Sequence, residues 1–93
     1  VLQLEALDHL GQLYFAEGQY GACASLCQQM LAADRCREDA HCRLMRCYAR
    51  LGQYPLALRQ YQACVEALRA ELDVEPSPAT VELCERIRRR EPV

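Results

Sequence analysis

Cys23 and Cys27 lie four residues apart, and His41-Cys42 could add further metal ligands. Zinc needs four converging ligands, and its usual sequence sign, paired short spacings such as C-x2-C in loops, is missing. The seven cysteines (23, 27, 36, 42, 47, 64, 84) fall mostly inside strongly helical stretches. Disulfide frameworks of secreted domains are instead loop-rich and even in count. Cys23, Cys27 and Cys64 are therefore read as small apolar core residues, and no metal or cofactor is expected. Cys36 falls between helical stretches and is the thiol expected to be exposed and reactive.

His9 and His41 have no nucleophile-and-acid arrangement beside them, and there is no glycine-rich phosphate loop. Ser25, Ser77 and Thr80 fit a helix surface, a helix cap and a first turn. No catalytic residue is assigned, and the chain is read as a non-enzyme. Arg86, Arg88, Arg89 and Arg90 could touch phosphate, but Glu82 and Glu85 stand four residues before Arg86 and Arg89, the spacing of ordinary helix pairs. Asp39 before Arg43 is another such pair. A net charge of -2 argues against a direct nucleic-acid reader. No apolar stretch reaches the roughly 18 residues that a membrane span needs. The simpler compartment for so many thiols is a reducing cytoplasm.

The elements that position these residues follow from an internal repeat. Gly18-Gln19-Tyr20 recurs as Gly52-Gln53-Tyr54, an offset of 34 residues, and the same offset sets Ala6 on Ala40, Leu10 on Leu44, Leu13 on Cys47 and Tyr14 on Tyr48. Within each copy the periodicity is helical. Leu4, Leu7, Leu10 and Tyr14 are followed by Tyr20, Cys23, Cys27 and Met30; Ala40, Leu44, Tyr48 and Leu51 are followed by Ala57, Tyr61, Cys64 and Leu68. Gly18 and Gly52 stand where each first helix must stop, because glycine accepts a left-handed cap. Asp34 is read as the N-cap of the third helix. Ser77 and Pro78 open a fifth helix whose apolar side is Val81, Leu83, Cys84 and Ile87, and which covers the end of the array.

Leu7-x2-Leu10-Gly11-x2-Tyr14 with Cys23 and Cys27, repeated as Leu44, Tyr48, Ala57 and Tyr61, resembles the tetratricopeptide pattern. The fold class is accordingly all-α: tandem tetratricopeptide-type hairpins in a right-handed α-solenoid. One domain spans 1–93, with repeat one at about 1–34, repeat two at about 35–72 and a capping helix at about 77–90. A closer resemblance covers residues 31 to 90, through Leu31-Ala-Ala-Asp34, Ala57-Leu58-Arg59-Gln60-Tyr61 and Glu71-Leu72-Asp73-Val74-Glu75-Pro76-Ser77-Pro78-Ala-Thr80. These residues resemble the bacterial transcriptional activator domain of antibiotic-pathway regulators. That family usually has proline where Arg35 stands and glycine where Asp73 stands. The resemblance implies a bacterial cytoplasmic regulator in which DNA binding belongs to another module. The chain, opening on Val1, reads as the C-terminal part of such a domain, with the face of its first helix open to a partner.

A helical repeat is expected to work through the concave side lined by the first helix of each hairpin. The repeat register aligns Glu5, Asp8, Gln12 and Phe15 with Asp39, Cys42, Arg46 and Ala49, which become the candidate interaction surface. The expected function is protein docking or self-association, with a protein partner or a second copy of the chain and no nucleic acid or membrane. A generic scaffold, a thiol or metal sensor and a small-ligand sensor with a pocket between helices stay open as alternatives.

Overall fold

The computed structural model describes residues 3–93, which form α1 (Leu4–Ala16), α2 (Tyr20–Ala33), α3 (Glu38–Arg50), α4 (Tyr54–Leu72) and α5 (Pro78–Arg88), with no strand among them. Val1 and Leu2, the opening of repeat one, lie outside the described residues. Each helix packs on its successor, and α5 also reaches back to α3. This is the all-helical, sequential packing of a helical repeat.

The two hairpin turns have the same chemistry. Gly18 and Gly52 adopt φ of 76° and 75°, where a side chain would be strained. In the first turn the amides of Gly18 and Gln19 donate to the carbonyls of Phe15 and Tyr14. In the second, Gly52 and Gln53 donate to Ala49 and Tyr48, so each turn satisfies two orphan carbonyls of the helix end. Asp73 ends α4 in the left-handed region at φ 52°, a conformation aspartate tolerates better than most residues. Ser77 caps α5, its side chain accepting from the Thr80 amide.

Three apolar clusters run along the array. Leu7, Leu26, Met30 and Ala40 form the first, Cys23, Ala24, Cys27, Leu44 and Cys47 the second, and Met45, Ala49, Ala57, Leu83, Cys84 and Ile87 the third. Two residues of the sequence-derived stripes face solvent instead. Leu51 is 46% exposed because it lies beyond the last turn of α3, and Val81 is 41% exposed because the buried edge of α5 runs through Thr80, Leu83, Cys84 and Ile87.

Asp34 does not cap α3. It ends α2, and its Oδ1 accepts from the Cys36 amide at 3.0 Å, while α3 begins only at Glu38 behind Arg37. The ion pairs also differ from the expected four-residue spacing. Asp39 binds Arg37 at 2.8 Å, and Arg43 reaches across to Asp8 of α1. On α5, Arg88 pairs with Glu85, Arg89 with Glu82 and Glu91, and Arg86 with Glu91. These α5 pairs are solvent-exposed and contribute little to stability.

Glu38 ties the start of α3 to the start of α5. Its Oε2 accepts from the Ser77 amide at 2.8 Å and from the Thr80 hydroxyl, which is itself buried. Burial pushes this carboxyl up, but the hydrogen bonds from Thr80 and Ser77 outweigh it and hold Glu38 below the usual carboxylate range. A group whose native pKa is depressed stabilises the fold above its unfolded value and loses that contribution as pH falls through the native one. Urea midpoints taken from pH 7 downward should therefore show wild type losing stability below about pH 4.5. Glu38→Gln should start lower and fall less steeply, and parallel curves would show that Glu38 does not link the two helices.

Candidate functional site

Gln12 and Phe15 of α1 and Asp39, Cys42, Arg43 and Arg46 of α3 line one groove of about 440 Å³. Arg43, one of its lining residues, forms an ion pair with Asp8 of α1. Gly11 lies close against this arginine: a Cβ there would stand 3.1 Å from Arg43 Nη1. Arg43 Nη2 lies 2.7 Å from Asp8 Oδ1, with side chains only 15% and 22% exposed. That oxygen is buried, and Arg43 is the nearer of two guanidinium groups beside it, Arg37 Nη2 lying 4.0 Å away. Asp8 Oδ2 accepts from Gln12 Nε2 at 3.0 Å. Burial works against the Arg43 charge, and Asp8 outweighs it, keeping the guanidinium firmly protonated.

Five of the sequence-derived surface residues, Gln12, Phe15, Asp39, Cys42 and Arg46, thus share one groove. Asp8 sits under it as the Arg43 partner, and Glu5 is exposed outside it. Ala49 is buried and lines a different cavity of about 510 Å³, together with Arg50, Tyr54, Arg90 and Glu91. Sequence reasoning missed Arg43, because the expected Asp39 pair occupied it. It also missed Arg50, which lies over both Phe15 and Tyr20 with its guanidinium carbon 5.4 Å from each ring centroid. The arginine spacing on α3 was visible, but the stacking depends on the turn that brings Tyr20 back.

A third cavity, about 310 Å³, opens between α2, α3 and α4 and is lined in part by His41, Gln28 and Gln60. His41 is buried and satisfied: its Nε2–H donates to the Arg35 carbonyl at 2.8 Å, and Nδ1 accepts from Gln60 at 2.7 Å. Burial holds its pKa below the ordinary range, so it is a neutral structural residue.

Cys23, Cys27, Cys47, Cys64 and Cys84 are buried, and all seven thiols are free. Burial pushes Cys27 and Cys64 up to about 12. Cys36 is half-buried rather than exposed, and its thiol donates to Glu71 Oε2 at 2.9 Å. That hydrogen bond raises it to about 11, which corrects the expectation of a reactive thiol, since the thiolate is the nucleophile. Among the described residues, no group of three or more His, Cys, Asp or Glu side chains is placed to hold a metal ion. No described helix is long and apolar enough to cross a membrane.

Neither the curated proteins nor the solved structures give a match. The pattern of the bacterial transcriptional activator domain matches residues 1–88, taking in all five helices. With that match covering nearly the whole chain, the protein belongs to the bacterial transcriptional activator domain family.

Proposed function

We propose that the chain is the docking module of a bacterial transcriptional regulator, holding a protein partner in the groove between α1 and α3 rather than catalysing a reaction. The observation that carries this reading is the groove itself, in which side chains of two successive hairpins converge around Phe15. Residues 1–93 act as one unit, with repeats at about 1–34 and 35–72 and a capping helix at about 77–90. The regulator works in the cytoplasm, and its DNA contacts come from another part of the protein.

Self-association is a second reading, favoured by one face of α1. Ala40, Leu44 and Cys47 of α3 are 0%, 1% and 0% exposed, whereas Leu13, the repeat equivalent of Cys47, is 47% exposed. Ala6, the equivalent of Ala40, is exposed as well, and Leu10 is half-buried. A second copy covering this face would bury the same stripe that α3 buries on α2.

Gln12 is exposed, so Gln12→Trp fills the groove without disturbing the core. Reporter transcription by the intact regulator should fall roughly tenfold, a typical loss for a blocked interface centre, while its occupancy of DNA stays unchanged. Undiminished transcription would sink the groove reading. Light-scattering mass across a concentration series, compared with Leu13→Glu, separates the second reading: a dimer lost only in Leu13→Glu places self-association on α1.

A further inference from the structure

We infer that the row formed by Arg46, Arg50 and Arg90 takes the carboxylates of an acidic peptide segment of a partner protein, an inference that rests on the docking reading and names the chemistry of the occupant. Among the described residues, Arg46, Arg50, Arg59 and Arg90 are the arginines with no carboxylate within 4.0 Å. Arg46 lines the groove, and Arg50 and Arg90 line the cavity at Ala49 and Tyr54. The side-chain carboxylates that line the same two spaces are already paired: Asp39 is held by Arg37, and Glu91 by Arg86 and Arg89. The free charge of this surface is therefore positive, although the chain as a whole carries -2.

The guanidinium groups are held without being consumed. Arg50 rests against Phe15 and Tyr20 and donates one Nη1 bond to the Tyr20 hydroxyl at 2.6 Å, leaving its other donors free. Arg90 lies 4.4 Å from the ring centroid of Tyr54, the repeat equivalent of Tyr20, and makes no side-chain hydrogen bond. Stacking uses the face of the guanidinium and leaves its edge, which matches the two oxygens of a carboxylate. Arg90 also has φ of 58°, where Gly18 and Gly52 end the corresponding helices of the first two hairpins. An arginine stands in a backbone conformation that disfavours side chains, and it does so at the mouth of the cavity. Arg46 and Arg50 are one helical turn apart on α3, and Phe15, which lines the groove with Arg46, also lies against Arg50.

The test uses the whole chain and fluorescence anisotropy with three labelled probes: a short peptide rich in glutamate and leucine, its glutamine counterpart, and an oligothymidylate of equal charge. The acidic peptide should bind and weaken with salt, and the other two should not compete with it. Arg46→Glu and Arg50→Glu should each weaken binding roughly tenfold, whereas Arg59→Glu, with the same change of charge away from the row, should stay within about a factor of two. Arg46 makes no ion pair or side-chain hydrogen bond, so its variant keeps the test valid if circular dichroism shows that Arg50→Glu disturbs the fold. No binding of the acidic peptide, equal binding of the glutamine peptide, tighter binding of oligothymidylate, or equal losses in Arg59→Glu would each overturn the inference. Transcription lowered by Gln12→Trp but untouched by the arginine reversals would remove the acidic occupant and leave the groove reading standing; the converse would remove the groove reading alone.

Discussion

Leu44→Ala is expected to lower the unfolding free energy by about 3 kcal/mol, within the usual range for a buried leucine, and to do so without changing the fold. Leu44 is 1% exposed and joins α3 to the Cys23, Ala24 and Cys27 face of α2. Its truncation removes apolar contact and leaves a cavity at the junction of the two hairpins. A domain of this size has roughly 5 to 10 kcal/mol to lose, so the melting temperature should drop by more than about 10 °C. Urea unfolding followed by helical dichroism should show a lower midpoint with the same slope. Leu51→Ala provides the contrast, since Leu51 is 46% exposed and its removal should stay within about 0.5 kcal/mol. Equal losses at the two positions would mean that α2 and α3 do not dock as described.

Asp8→Ala should be nearly as damaging, at about 2 to 4 kcal/mol, because it strands the Arg43 charge in a site that is only 15% exposed. An exposed pair of the same residue types would give about 1 kcal/mol or less. The distinguishing experiment is the double variant Asp8→Leu with Arg43→Met, which replaces both charges by apolar groups. Most of the lost stability should return in the double variant, since the damage comes from an uncompensated charge rather than from a missing attraction. Additive losses would instead point to packing around Gly11 as the source, and a loss under 1 kcal/mol from Asp8→Ala alone would show the pair to be solvated.

The repeat register made most of the architecture legible, because turn glycines and apolar stripes recur together and both are local signals. Gly18, Gly52, Asp73 and Ser77 act as their residue types suggest. What local reasoning missed are contacts made across the array. Asp39 and Arg43 have helix-pair spacing, yet each finds a different partner, Arg37 and Asp8, once α1 is laid beside α3. Asp34 has the chemistry of a cap but spends it on the turn at Cys36. Cys36 lacks an apolar neighbourhood in sequence, and Glu71, which controls its thiol, stands one whole hairpin later. Thr80 is the first-turn residue its position suggests, and it is also the anchor for Glu38. Five of the six groove residues were reachable by register, whereas Arg43 and the placement of Arg50 and Arg90 over equivalent tyrosines required the turns to be folded.

Five thiols are buried, and four of them, Cys23, Cys27, Cys47 and Cys84, belong to the apolar clusters. Oxidants can reach them only in opened states, so the chemical lifetime of the domain depends on how often it opens as well as on the intrinsic reactivity of its sulfurs. When reclosing is fast, each 1.4 kcal/mol lost from the opening free energy speeds irreversible thiol loss by about tenfold. Small defects in packing would then be amplified into chemical ageing, and a weakened copy would be removed from service by oxidation well before its equilibrium unfolding became measurable.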